Sequence, residues 1–366
     1  MTIGVLKEAA DKRVAVVPDT VKKLKELNLD ILIETQAGVD AYFPDSEYEE
    51  AGAAIASHQD ILQKADVLIS INPLEEPELK SLDKGKMLIS QFQPFFDHDV
   101  ADRLNGLGLR AFSLDMIPRT TLAQSMDVLS SMASIAGYKA VLEASRYLPR
   151  YFPMMITAAG SIRPAKILVL GAGVAGLQAI ATAKRLGAQV EAFDTRSAAR
   201  EEVKSLGAKF IEIEGAKEDT GAGGYAVEQS EEFLKRQREE VQNRASKSDI
   251  IITTAQVRGR KAPILVPKST VDNMRPGSVI VDLAASTGGN CELTEDNQVV
   301  NHNGVTIIGD SNLAALMPQD ASVLYSNNLF NFFKILVKDG ELSLDMNNEI
   351  VSGALITTAP ETTISE

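Results

Sequence analysis

One cysteine, no tryptophan, three histidines and 5% aromatic residues leave this sequence poor in the side chains that most often carry chemistry. A single thiol, Cys291, cannot close an internal disulfide, and no Cys/His cluster of metal-ligating spacing surrounds it, so the composition suits a reducing compartment and offers no metal site. A cationic surplus is absent too: 37 Lys and Arg stand against 50 Asp and Glu, a net charge of −13, which works against binding a phosphate backbone. Nucleic acid is not an expected partner. Long apolar runs are also missing. The longest stretch, Ile167 to Ala183, is broken by Gly171, Gly173 and Gly176, whereas a spanning helix needs about 20 apolar residues. The opening MTIGVLKEAADKR places charges where a secretory signal needs an apolar core. A cytoplasmic protein is the expectation.

What is present is ordinary globular material, 366 residues with 45% hydrophobic and 24% charged, enough for two domains. Strand-like runs at Ile3–Leu6, Asp30–Glu34, Asp66–Ile71, Met87–Phe92 and Leu109–Ser113 alternate with helical patterns, one opened by Pro18. A helical period from about Asp127 to Leu148 leads to a second alternating region that starts with KILVL at Lys166 and ends near Ile308. Beyond Asn312 the pattern predicts a helix around Ser322–Val337 and a hairpin over Glu341–Thr357, both packing back on the first domain. The expected fold is α/β, two doubly wound, Rossmann-like domains with a nucleotide cleft between them. Residues 1–129 plus 313–366 form one domain and 130–312 the other.

The strand KILVL runs directly into GAGVAG, Gly171 to Gly176, and then into the helix LQAIATAKRLGA. Gly171 allows the tight turn, Gly173 lets backbone approach a pyrophosphate, and Gly176 lets helix and strand pack closely. Asp194 ends the next strand twenty-three positions after Gly171, about where a carboxylate accepts hydrogen bonds from an adenosine ribose and repels a 2′-phosphate. Arg196 complicates that preference, because an arginine there can hold the extra phosphate. The fingerprint occurs once, so the chain offers one dinucleotide site, read as NAD(H). Gly215–Tyr225, with three glycines near its end, reads as a surface loop. The charge run after it reads as a helix with Phe233 and Leu234 inward. Between the two alternating regions, MIPRTTLAQSMDVLSS gathers Arg119, Gln124, Ser125, Asp127 and Ser130 at the domain junction. A helix cap by Asp127 or Ser125 is the plain alternative there.

These motifs, with KE…RVAVVP, AQSMDVLSSMASIAGYKAV, FPMMITAAGSIRPAK, FDTR, GGYA and GSVIVDLAASTGGNC, make the whole chain resemble the NAD(H)-binding component of proton-translocating transhydrogenases, within the alanine dehydrogenase and transhydrogenase family. The resemblance implies a homodimer docked at the cytoplasmic face on a membrane-spanning subunit, with NADP(H) on a separate partner component. It implies that Arg119, Gln124, Asp127 and Ser130 sit beside the nicotinamide, with Thr120 and Thr121 as neighbouring contacts. Ala172, Gly173 and Val174 match the pyrophosphate turn, Asp194, Thr195 and Arg196 the adenosine end, and Gly224 and Tyr225 the tip of a loop closing over NAD(H), with Tyr225 expected among the catalytic residues. Gln237, Ala255 and Gln256 would be further contacts. At Thr253–Pro263 the chain reads TTAQVRGRKAP where relatives usually read TTALIPGKPAP, which puts the part played by Gln256 in doubt.

Hydride transfer between two nicotinamides moves no proton at the reacting carbons, so it calls for positioning without a general acid or base. His58, His98 and His302 all lie outside the motifs above. The main alternative is an amino-acid dehydrogenase of the alanine dehydrogenase type, which the resemblance equips with a lysine and a histidine. Asn72 and Gln93 stand in those places here. A non-catalytic NAD-responsive regulator is the second alternative. Cys291 reads as a packing thiol.

Overall fold

The computed structural model describes residues 1–212 and 230–358. The chain divides into two units, Met1–Met132 with Ala315–Glu366, and Ala133–Ala314, so the divisions fall two to three residues later than the sequence pattern placed them.

The first unit is built on β1 (Thr2–Val5), β2 (Asp30–Glu34), β3 (Ala54–Ala56), β4 (Val67–Ile69), β5 (Met87–Ser90) and β6 (Arg110–Ser113). They pair in parallel in the order β3-β2-β1-β4-β5-β6. Every residue of β4 and β5 is buried, which is why both read as unbroken apolar runs: a parallel sheet is covered on both faces. The edge strand β3 has no buried residue and left no run to detect. Pro18 opens the helix Pro18–Lys25, where a missing N–H costs nothing, and Val21 and Leu24 turn to the core. The helix Pro318–Leu336 completes this unit. Its Tyr325, Leu329, Phe332 and Phe333 join the core around β1, β2 and β6, Phe332 meeting Phe112 edge-on at 5.5 Å. The hydroxyls of Ser322 and Ser326 accept from the amides of Val14 and Val17 at 2.9 and 3.0 Å.

In the second unit an antiparallel hairpin, β7 (Met155–Thr157) and β8 (Gly160–Ile162), precedes the main sheet, and its Ile156 and Ile162 side chains are exposed and carry no core-facing period. Its sheet comprises β9 (Lys166–Leu170), β10 (Gln189–Phe193), β11 (Lys209–Phe210), β12 (Ile250–Thr253), β13 (Val279–Asp282), β14 (Val299–His302) and β15 (Val305–Ile308). The order is β11-β10-β9-β12-β13-β15-β14, parallel except for β14. β9 therefore lies between strands whose crossovers run in opposite directions, the switch point where such sheets bind ligands. The helix Val128–Tyr147 starts in the first unit and continues into the second.

Two expectations are corrected. The hairpin at Glu341–Thr357 is replaced by a short turn-back of β16 (Val337–Lys338) and β17 (Glu341–Leu342), followed by a helix, Glu349–Ala354. Asn348 decides this, its side chain accepting from the Ile350 amide at 2.9 Å as a helix cap. In the helix Glu231–Ala245, Phe233 is buried as expected but Leu234 is exposed. No helix of the described residues is long and apolar enough to cross a membrane.

His58, the first residue of the helix His58–Lys64, lies between two carboxylates, its Nδ1 3.0 Å from Glu34 and its Nε2 2.7 Å from Glu78. Burial acts to lower the imidazole pKa, but the two carboxylates outweigh it and hold it above its ordinary value. A raised folded-state pKa stabilises fully below the unfolded value, and that stabilisation fades as pH rises through the folded value. We expect His58→Gln to lower the melting temperature most near pH 6 and progressively less above it. A deficit that grew with pH would contradict the ion-pair geometry.

Candidate functional site

The end of β9 builds the candidate nucleotide site. Gly171 has φ +102°, the left-handed region, and a Cβ there would stand 2.4 Å from the Thr254 hydroxyl. A Cβ on Gly176 would stand 1.9 Å from the Gly171 carbonyl oxygen, so the helix Val174–Arg185 sits as close to β9 as a missing side chain allows. Gly173 differs: nothing lies within 4 Å of the place its Cβ would fill. That open face borders the first turn of the helix, whose amides have no partner within the helix and whose dipole favours an anion. The turn therefore fits a dinucleotide pyrophosphate. A third close approach had no motif to announce it. On Gly137, midway along Val128–Tyr147, a Cβ would meet the Ala175 carbonyl oxygen at 2.1 Å. A lone glycine inside a long helical period was its signal.

Asp194 follows β10, and all its acceptor positions are in use. Oδ1 accepts from the Arg196 amide at 2.8 Å and from its Nε at 3.1 Å. Oδ2 accepts from the Ala172 amide at 2.7 Å and from the Arg196 guanidinium at 3.1 Å. Burial acts to raise the Asp194 pKa, but Arg196 and the Ala172 amide prevail and hold it below the usual carboxylate range. Arg196 also reaches the Ala172 carbonyl oxygen at 3.2 Å, tying the adenosine-end residues to the glycine turn, while Thr195 is exposed.

The loop after β12 closes on the same turn. Thr254 donates to the Gly171 carbonyl at 3.1 Å, and the Gln256 side chain donates to the Leu283 carbonyl at 2.7 Å. Gln256 is thus held to its own loop system. Ala255 is bonded through both its amide and its carbonyl to Asn290 at 2.9 Å. Gln237 lies half-buried on Glu231–Ala245, without a hydrogen bond to the glycine turn among the described residues. Gly224 and Tyr225 lie outside the described residues. Cys291 is buried, and burial pushes its thiol pKa up to about 11, as befits a packing side chain. Among the described residues, no group of His, Cys, Asp and Glu could hold a metal ion. A cavity of about 570 Å3 opens at the other end of these strands, beside Lys166, Gln189 and Lys209.

In the first unit the polar segment after β6 is pinned from behind. Ala123 and Met126 enter the core, and the Ser125 carbonyl accepts from Asn328 at 2.8 Å and Asn331 at 3.1 Å. Asp127 caps Val128–Tyr147, accepting from the Ser130 amide at 2.9 Å and hydroxyl at 2.6 Å, so of the two cap candidates Asp127 is the one that caps. Arg119, Thr121 and Gln124 are exposed, and the Arg119 and Gln124 side chains make no hydrogen bond among the described residues. Thr120 is half-buried, and its hydroxyl oxygen is buried without a partner there.

A second polar group of this unit contains the Glu8 and Arg13 of the KE…RVAVVP motif, to which the sequence alone gave no role. Glu8 is buried and accepts from the amides of Ile71 and Asn72 at 2.5 and 3.2 Å and from the Asn72 carboxamide at 2.9 Å. Burial pushes the Glu8 pKa up. Arg13, also buried, is bound by both oxygens of Asp11 and reaches the Met132 sulfur at 3.2 Å. Gln93 is exposed on a residue of φ +51°.

Comparison with known proteins matches the chain in two consecutive parts, the second of which includes the tail that folds into the first unit. The alanine dehydrogenase/PNT N-terminal domain family matches residues 4–136 and the C-terminal domain family residues 140–365. An alpha-subunit polypeptide of the NAD(P) transhydrogenase of Rhodospirillum rubrum is 44% identical, over 98% of this chain and 96% of that protein. Among solved structures, transhydrogenase from Sinorhizobium meliloti superposes with a TM-score of 0.90 at 42% identity, covering 98% of both chains. An L-alanine dehydrogenase superposes with 0.78 at 26% identity, covering 97% of this chain and 94% of that one.

Proposed function

The chain belongs to the alanine dehydrogenase/PNT family and is of its transhydrogenase alpha-subunit kind, and from that premise we propose that it holds NAD(H) and passes a hydride to NADP+ on a partner component. A membrane-spanning subunit couples that transfer to proton translocation, and the chain works as a homodimer on the cytoplasmic face. Bound NADH supplies the hydride; this chain supplies position.

The observation that carries the reading is the state of Arg13, Asn72 and Gln93. Oxidising an amino acid to an imine and hydrolysing it needs an anchor for the substrate carboxylate and a group that exchanges protons. The Asn72 carboxamide lies 3.4 Å from Asp11, and that carboxylate already neutralises Arg13. A substrate carboxylate there would meet Glu8 and Asp11. Carboxamides at Asn72 and Gln93 exchange no proton near neutral pH. Transfer between two nicotinamides needs none of these groups.

In this reading Gly171, Ala172, Gly173, Val174 and Gly176 hold the pyrophosphate, and Asp194, Thr195 and Arg196 the adenosine end. Arg119, Thr120, Thr121 and Gln124 meet the nicotinamide end, Gln124 orienting the ring. Asp127 and Ser130, bonded to each other, fix the end of that segment. Gly224 and Tyr225 are further contacts of the nucleotide, and Gln237, Ala255 and Gln256 border it, Ala255 through its backbone. Support for the homodimer comes from Tyr151, Met154, Ile156 and Ile162, exposed apolar side chains gathered at the β7–β8 hairpin.

With NAD+ and L-alanine the purified chain is expected to form no NADH, while titration with NADH gives saturable binding. Alanine-dependent NADH formation would restore the dehydrogenase reading.

A further inference from the structure

We infer that Asn290, fixed in place by Asp282, is a positioning residue for the bound nucleotide. The inference rests on the nucleotide-binding reading of the glycine turn and names a group outside its motif. Asn290 has no exposed surface. Its Oδ1 accepts from the Ala255 amide, and its Nδ2 donates to the carbonyls of Ala255 and Pro263, all at 2.9 Å. One carboxamide thus satisfies both backbone groups of Ala255, as a neighbouring strand would. Two successive glycines in the left-handed region, Gly288 and Gly289, deliver it there, at φ +98° and +77°.

Asp282 holds the other side. This carboxylate, at the end of β13 and with no exposed surface, takes five donors and no cation among the described residues. Thr253 hydroxyl and Ala284 amide reach Oδ1 at 2.8 and 3.0 Å. The amides of Asn290 and Cys291 and the Thr294 hydroxyl reach Oδ2 at 2.7, 2.9 and 2.7 Å. A desolvated carboxylate is tolerated only when its acceptor sites are filled, so the loop Leu283–Thr294 has little freedom around it. From Asn290 the path to the nucleotide turn is short: Ala255 follows Thr254, whose hydroxyl bonds the Gly171 carbonyl and fills the space a Gly171 side chain would need. Ala255 and Gly171 therefore keep their mutual position through Asn290. Loss of that hold displaces the backbone bordering the nucleotide and leaves the groups beside the reacting ring untouched.

The test is Asn290→Asp, nearly isosteric, which sets an oxygen against the carbonyls of Ala255 and Pro263. Thr294→Val is the milder companion, removing one of the five donors to Asp282 at a half-buried position. We expect NADH binding to weaken about tenfold in Asn290→Asp and about threefold in Thr294→Val, by loss of charge-assisted or buried hydrogen bonds. In transhydrogenation with the NADP(H)-binding component, the KM for NADH should rise in step while kcat and the KM for the NADP+ substrate stay within about twofold. Should Asn290→Asp fail to fold, Thr294→Val decides by the same ratios. Unchanged NADH binding in a cooperatively melting variant, or a fall in kcat with unchanged KM, overturns the assignment. Failure of the wild-type chain to bind NADH would instead overturn the nucleotide reading beneath it.

Discussion

Mixed with NADH and NADP+, the purified chain alone should transfer no hydride, and addition of an NADP(H)-binding component should start the reaction. The expectation follows from counting what two nicotinamides require. Their reacting carbons must approach to roughly 3–3.5 Å with the rings aligned, an arrangement worth several orders of magnitude in rate and held by separate binding of each dinucleotide. The sequence carries one glycine fingerprint, Gly171–Gly176, and the strand, turn and helix that make it effective occur together at β9. The first unit has a similar sheet, yet after β1 its chain continues as Leu6-Lys7-Glu8, and Glu8 places a buried carboxylate at the amides of Ile71 and Asn72. A pyrophosphate there would meet a negative charge in place of free amides. The check is a coupled assay with and without the partner, using an NADP+ analogue whose reduced form absorbs apart from NADH. Robust turnover by the chain alone would mean that a second coenzyme finds a site of its own here.

Much of this was legible in the sequence because parallel sheets covered on both faces write themselves as apolar runs. KILVL, the buried β12 (IIIT) and VIVD could be little else between helical periods. The glycine turn was legible because each glycine answers a separate steric demand: Gly171 and Gly176 leave no room for a Cβ, which would meet its neighbours at 2.4 and 1.9 Å, while Gly173 keeps its face open. What stayed hidden has no local signature. β3 and β7–β8 bury little, so they follow no hydrophobic period. The tail helix Glu349–Ala354 depended on one capping asparagine. Asp282 and Asn290 stood inside the run VDLAASTGGNC, but that a carboxylate would gather five donors depends on how the chain folds back between Ala284 and Thr294. Arg13 and Asp11 were likewise visible as charges, while their mutual neutralisation required the geometry.

The largest change in coenzyme preference is expected at Asp194 and Arg196, where the sequence favours NAD through the carboxylate but sets beside it an arginine able to hold a 2′-phosphate. The two side chains act as one group. Asp194 is 9% exposed and spends both oxygens on Arg196 and the Ala172 amide, while Arg196 is 43% exposed. A ribose diol can bond the carboxylate only by displacing the guanidinium, and the exchange leaves Ala172 in place because its amide holds Oδ2 from the other side. A 2′-phosphate meets the carboxylate and the guanidinium together, attraction set against repulsion in a half-buried setting. Asp194→Asn keeps the shape and removes the charge. It should weaken NADH binding by about ten- to a hundredfold, the loss of charge-assisted hydrogen bonds worth ~1.5–3 kcal/mol. It should also free Arg196, so that NADPH binding holds or improves and the preference for NADH narrows. Arg196→Ala works in the opposite sense: the carboxylate stands alone, and NADPH binding falls more than NADH binding. Equilibrium titration of each variant with both reduced coenzymes measures the ratio directly. Were Asp194→Asn to leave the NADH/NADPH ratio unchanged, the ribose would have to be read elsewhere, and the carboxylate would serve only to brace Arg196 against the Ala172 carbonyl.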